Sequence, residues 1–130
     1  DPTAWLCVPE AIRCLGSLLP GGWPELMDRN RALALEAQRV LCAALDAPPP
    51  APAEMIGSLA AVPLPDGPPG TPSSPLWHDP LERRLEDEFG FVLPIYAFPA
   101  APRRVLRVAA QLYNRREQYE RLGALLRRLL

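Results

Sequence analysis

Proline fixes the backbone φ angle and cannot donate a main-chain hydrogen bond, so its placement decides where helices and strands must stop. Most of the 18 prolines in this chain of 130 residues crowd into three stretches, 48–52, 63–75 and 94–102. Regular structure has to fit around them. Before the first cluster, Trp5, Leu6, Val8, Ile12, Leu15, Leu18 and Leu19 recur at helical spacing, which predicts a helix that Pro9 opens or kinks and that Gly21 and Gly22 end. Pro24 then stands where a first helical turn tolerates proline. From Leu26 to Ala44 the 3–4 spacing persists, predicting a long amphipathic helix over 24–45 whose outer face carries Glu25, Asp28, Arg29, Arg31, Glu36 and Arg39. That outer face reads as solvated.

The stretch "DAPPPAPAE" reads as a stiff, extended connector. After it, "MIGSLAAVPLP" has small and apolar residues on both faces of a strand, and "DGPPGTPSSP" reads as a mobile loop. In "HDPLERRLEDEFGF", Asp79 is an N-cap, Pro80 the first helical residue, and Gly90 a left-handed stop. Glu82 and Glu86 on this helix read as solvated charges. "FVLPIYAFP" is a short strand whose prolines suit an edge position. "RVLRVAAQLY" is the cleanest strand, and Asn114 with Glu117 has the spacing of a capping box opening a last helix that carries Tyr119, Leu122, Leu126 and Leu129. The expected fold is therefore α+β, in the order α-α-β-α-β-β-α. A small, mostly antiparallel sheet of about three strands is covered on one side by helices.

Composition narrows the function. A net charge of −1 argues against broad attraction to nucleic acid or to anionic membranes. No apolar run approaches the roughly 18–20 residues that span a bilayer, and the N-terminus lacks the pattern of a signal peptide. Cys7, Cys14 and Cys42 form no CxxC pair and read as reduced, buried thiols of a cytoplasmic protein. All fourteen basic residues are arginine; there is no lysine.

Few residues could carry chemistry. His78 is the only histidine and has no metal-ligand partner at suitable spacing, so no metal site is expected. Ser17, Ser58, Ser73 and Ser74 lack a matching base, and the glycines near 67–70 lack the setting of a phosphate-binding loop. No residue reads as catalytic. Arg107 stands out. Strand alternation places Leu106, Val108, Ala110 and Leu112 on one face, and Val105, Arg107, Ala109 and Gln111 on the other. A guanidinium between small neighbours suits bidentate recognition of a carboxylate or phosphate. An arginine pointing into water from an open sheet face satisfies the same pattern.

Three stretches, "DPTAWLCVPEAI", "NRALALEAQRVLCAAL" and "VLPIYAFPAAPRRVLRVAAQLYNRREQYERL", resemble the C-terminal, small domain of fold-type I, pyridoxal-phosphate-dependent enzymes. The group is the class V aminotransferases, in the isopenicillin N epimerase-like branch. The most specific element is an arginine six residues ahead of Tyr113-Asn114, followed by a capped helix. The resemblance implies that Arg107 binds the α-carboxylate of an amino-acid substrate and that Asn114 is structural. It also implies that Ala109 stands where the family has serine. By the same resemblance the Schiff-base lysine and the cofactor site belong to a missing N-terminal large domain. This chain, 1–130, would be a single C-terminal domain that binds no cofactor covalently. Residues 1–46 would be two helices leading from the large domain, and 55–130 the sheet and its helices. The full-length enzyme would be a homodimer that touches neither nucleic acid nor membrane. Residues 86–106 contain no cysteine, which excludes the sulfur transfer of the neighbouring desulfurases. Transamination, epimerisation and elimination stay open. So do two other readings: a stand-alone, non-catalytic module binding a small carboxylate or mediating protein contact, and a structural domain in which Arg107 pairs with an acid of its own chain.

Overall fold

A computed structural model describes residues 1–70 and 78–130. Among them, helices α1 (Thr3–Gly16) and α2 (Gly22–Ala44) precede strand β1 (Leu59–Leu64). Helix α3 (Pro80–Phe89), strands β2 (Ile95–Ala97) and β3 (Arg104–Ala109), and helix α4 (Arg116–Leu129) follow. The order is α-α-β-α-β-β-α, and the fold is α+β. The sheet is antiparallel throughout, with β3 in the middle and β1 and β2 at the edges. Both edges carry or adjoin prolines, which cannot donate to a neighbouring strand.

Register explains which side is closed. Ala60 pairs with Val108, Val62 with Leu106, and Leu106 in turn with Ile95. Directly opposed residues share a face, so these side chains form one apolar surface, and all are buried. Ala34, Ala37 and Leu41 of α2, Leu81 and Leu85 of α3, and Leu122 and Leu126 of α4 join them in a single core. Each leucine hidden completely there contributes about 1.5–3 kcal/mol relative to exposure. Helices α2 and α4 approach closely because Gly123 has no side chain: a Cβ there would lie 3.1 Å from Ala44 Cβ.

The connections are tied by polar side chains. Buried Gln38 donates to Ala61 O at 3.0 Å, satisfying a carbonyl on the free edge of β1. Arg31 donates to Ile56 O (3.0 Å) and Ala53 O (2.9 Å), pinning the segment after the proline connector. The outer face of α2 is therefore not merely solvated at Arg31. Glu82 departs from expectation in the same way: Oε2 accepts from Ile95 N–H at 3.0 Å, which anchors β2 to α3.

Helix α1 differs most from expectation. It ends at Gly16, not at Gly21, because the Trp23 indole packs where a Cβ on Gly16 would lie 2.8 Å from the ring, and donates to Ile12 O. None of its residues is buried. Cys7 and Cys14 are consequently exposed thiols, and only Cys42, in α2, is buried as expected. The last helix is also shifted by one residue. Arg115 is the N-cap position of α4, and Gln118 reaches back to accept from Arg115 N–H at 2.8 Å. Asn114 instead closes the preceding turn. Its N–H donates to Gln111 O and its Oδ1 accepts from Gln111 N–H.

Half of the loop expected to be mobile, residues 71–75 with Ser73 and Ser74, lies outside the described residues. No helix among the described residues is long and apolar enough to cross a membrane.

Candidate functional site

Two arginines three residues apart in β3 meet opposite fates. Arg104 lies at the closed side of the sheet, where its guanidinium donates to both oxygens of Asp79 at 2.8 and 2.7 Å. Its Nε donates to Pro65 O at 2.9 Å. Asp79 is 2% exposed and also caps α3 by accepting from Leu81 N–H. One buried carboxylate thus joins the start of α3 to β3 and, through Arg104, to the end of β1.

Arg107 faces the other way. Alternation puts it with Val105 and Ala109 on the sheet face that no helix covers, and register adds Ala61 directly opposite, with Leu59 and Pro63 alongside. Tyr96, opposite Val105 on β2, shares this face. The Arg107 guanidinium lies over the Tyr96 ring, 5.4 Å from its centroid, a cation–π contact that steadies the fork without occupying its donors. The Arg107 backbone N–H donates to Pro94 O at 3.1 Å, so the strand beneath the side chain is fixed. Among the described residues no hydrogen bond or ion pair reaches the guanidinium. Among the described residues no acid pairs with Arg107; the arginine of β3 that takes a carboxylate is Arg104.

Beside Arg107 runs a groove of about 280 Å³ between the end of β3, the start of α4 and residues 90–94. Leu59, Phe91, Val92, Pro94 and Tyr113 form its apolar walls. Val92 and Tyr113 are 77% and 79% exposed. Tyr119 lines the inner side, and its hydroxyl donates to Ala109 O at 2.7 Å. Burial, and secondarily the neighbouring Tyr113, push the Tyr119 phenol above its ordinary pKa, so it stays a neutral donor at physiological pH.

The structure thus brings together Arg107, which the sequence singled out, with Tyr113, which the sequence named only as part of the Tyr-Asn motif, and with Tyr96, which it did not name. Tyr96 could be found only from the pairing of Tyr96 with Val105, and a sequence does not state register. Ala109 contributes no polar side-chain contact. Its carbonyl serves Tyr119 instead.

His78 Nδ1 lies 3.0 Å from Glu82 Oε1, and no group of three or more metal-ligating side chains occurs among the described residues. Pyridoxal phosphate requires a lysine for its aldehyde, and the chain has none. The residues present do not form a covalent site for that cofactor. No family model and no curated protein matches the chain.

Proposed function

We propose that this chain is the C-terminal domain of a pyridoxal-phosphate-dependent enzyme of the class V aminotransferase group, in the isopenicillin N epimerase-like branch, and that Arg107 grips the carboxylate of its amino-acid substrate. One observation carries the reading: a guanidinium that no hydrogen bond or ion pair reaches among the described residues, at the centre of an apolar, uncovered sheet face and held over Tyr96. A planar fork with free donors offers a carboxylate two parallel charge-assisted hydrogen bonds, which fix orientation as well as position. In this reading the lysine-bearing domain precedes the chain and supplies the cofactor. Arg107 performs no bond-making step. It binds and orients. The assembled enzyme is a cytoplasmic homodimer, and the reaction is transamination, epimerisation or elimination.

Arg107→Ala in the full-length enzyme tests this. Loss of a hydrogen-bonded charge worth about 1.5–3 kcal/mol raises the amino-acid KM roughly 10- to 150-fold, and Arg107→Lys recovers part of it. Unchanged kinetics would overturn the assignment.

A second reading is favoured by the closure of the core within the described residues: a stand-alone module that binds a small carboxylate without catalysis. It uses the same arginine. An open reading frame that joins these residues to a lysine-bearing domain supports the enzyme, and one that encodes them alone supports the module.

A further inference from the structure

The groove beside Arg107 has chemistry more specific than carboxylate binding. Three of its polar side chains are engaged within the chain. Gln118 Oε1 accepts from Arg115 N–H, Asn114 Oδ1 from Gln111 N–H, and the Tyr119 hydroxyl donates to Ala109 O. Among the lining residues Arg107 is the single charge; no acid and no second base stands in the wall. What the groove offers a ligand is one cationic fork, two neutral polar groups in the Tyr113 hydroxyl and the Gln118 amide N–H2, and apolar surface at Leu59, Phe91, Val92 and Pro94. Resting on the carboxylate reading of Arg107, we infer that the site selects a monocarboxylate with an apolar substituent, the head on Arg107 and the tail against Phe91, Val92 and Tyr113.

Size and charge argue the same way. A volume of about 280 Å³ lies at the small end of ligand pockets, which suits a single compact aliphatic or aryl substituent and not a peptide. A second carboxylate would lose its hydration against Leu59, Phe91 and Pro94 with no counter-charge to meet it. An ammonium-bearing tail would find no acid. Selection against charged substituents therefore follows from an absence of partners in the wall, while preference for apolar ones follows from area removed from water.

Titration of the 130-residue chain with acetate, butanoate, hexanoate, 3-phenylpropanoate and succinate tests the inference, with the Arg107 side-chain N–H followed by NMR. Affinity should rise about fourfold for each methylene the groove buries. The expected order puts 3-phenylpropanoate at least about tenfold tighter than acetate, and succinate no tighter than acetate. Arg107→Gln should abolish binding of the whole series. Val92→Ser, at an exposed position outside the core, should cut the gain from hexanoate and 3-phenylpropanoate and leave acetate unchanged. If all monocarboxylates bind alike and still depend on Arg107, the tail preference is wrong and the carboxylate reading survives. If succinate binds more tightly than hexanoate, the tail preference is likewise wrong. If none of the series binds through Arg107, both fall.

Discussion

Arg104 and Arg107 show how one strand turns the same side chain to two uses. Their spacing of three puts them on opposite faces, and the environment of each face decides the rest. Arg104 is 10% exposed at its side chain and is held by Asp79 through Nη1 and by Pro65 O through Nε. Removing one partner of a buried pair leaves an uncompensated charge and costs about 3–5 kcal/mol. Arg104→Met should therefore lower stability by about that amount, read as a fall in the denaturant midpoint. Asp79→Asn should cost less, since an amide still caps α3. The double variant should lose less than the sum of the two. A loss for Arg104→Met near the 0–1 kcal/mol of exposed pairs such as Arg84–Glu88 would show that the pair contributes no more than a surface one. The sequence placed Arg107 on the outer face of the strand, where the structure has it. It did not mark Arg104, because nothing in "PRRVLR" says that residue 79 lies beneath it.

The elements were legible where local chemistry sets their ends. Asp79 and Pro80 open α3, and Gly90 closes it at φ 71°, as the residue types required. A Cβ at Gly90 meets nothing within 4 Å, so substitution there reports backbone strain alone. Gly90→Ala should cost about 1–2 kcal/mol, the penalty of the left-handed region, and Gly90→Asn clearly less. Equal midpoints for Gly90 and Gly90→Ala in chemical denaturation would refute this. The ends that local chemistry left ambiguous moved. Asn114 and Arg115 both precede the last helix, and the cap went to the position whose N–H Gln118 can reach. Asn114 was drawn instead into the turn with Gln111, which also accepts from Asn30 of α2 at 3.0 Å. The stripe of α1 continued on paper to Leu19, but the Trp23 ring needed the space beside Gly16 and ended the helix there.

At the scale of the whole molecule, one sheet face is closed by helices and the other is open. The closed side holds two groups whose ionisation opposes folding. Burial pushes the Cys42 thiol above its ordinary 9.0, and burial followed by Tyr113 pushes Tyr119 above 10.0. Both are neutral when protonated, and both have raised pKa values in the folded state. The unfolded chain therefore loses these protons first as pH rises. Stability should be unaffected by them at neutral pH and should decline as pH climbs through and beyond 9.0 and 10.0. Denaturant midpoints measured at about pH 8 and about pH 10.5 check this, and Cys42→Ala should remove the earlier part of the decline. A midpoint that rises with pH would contradict the sign. The open side is where Arg107, Tyr96, Val92 and Tyr113 stand. By itself the sequence determined the order of elements and, over 104–109, the two faces of β3 with Arg107 on the outer one, because proline placement, capping residues and a period of two are local properties. Only the tertiary structure decided that β3 lies between β1 and β2, that α1 stays outside the core, that Asp79 takes Arg104 and leaves Arg107 without an acid among the described residues, and that a largely apolar groove lies beside that charge. Each of these depends on register and packing between distant segments, which no local pattern encodes.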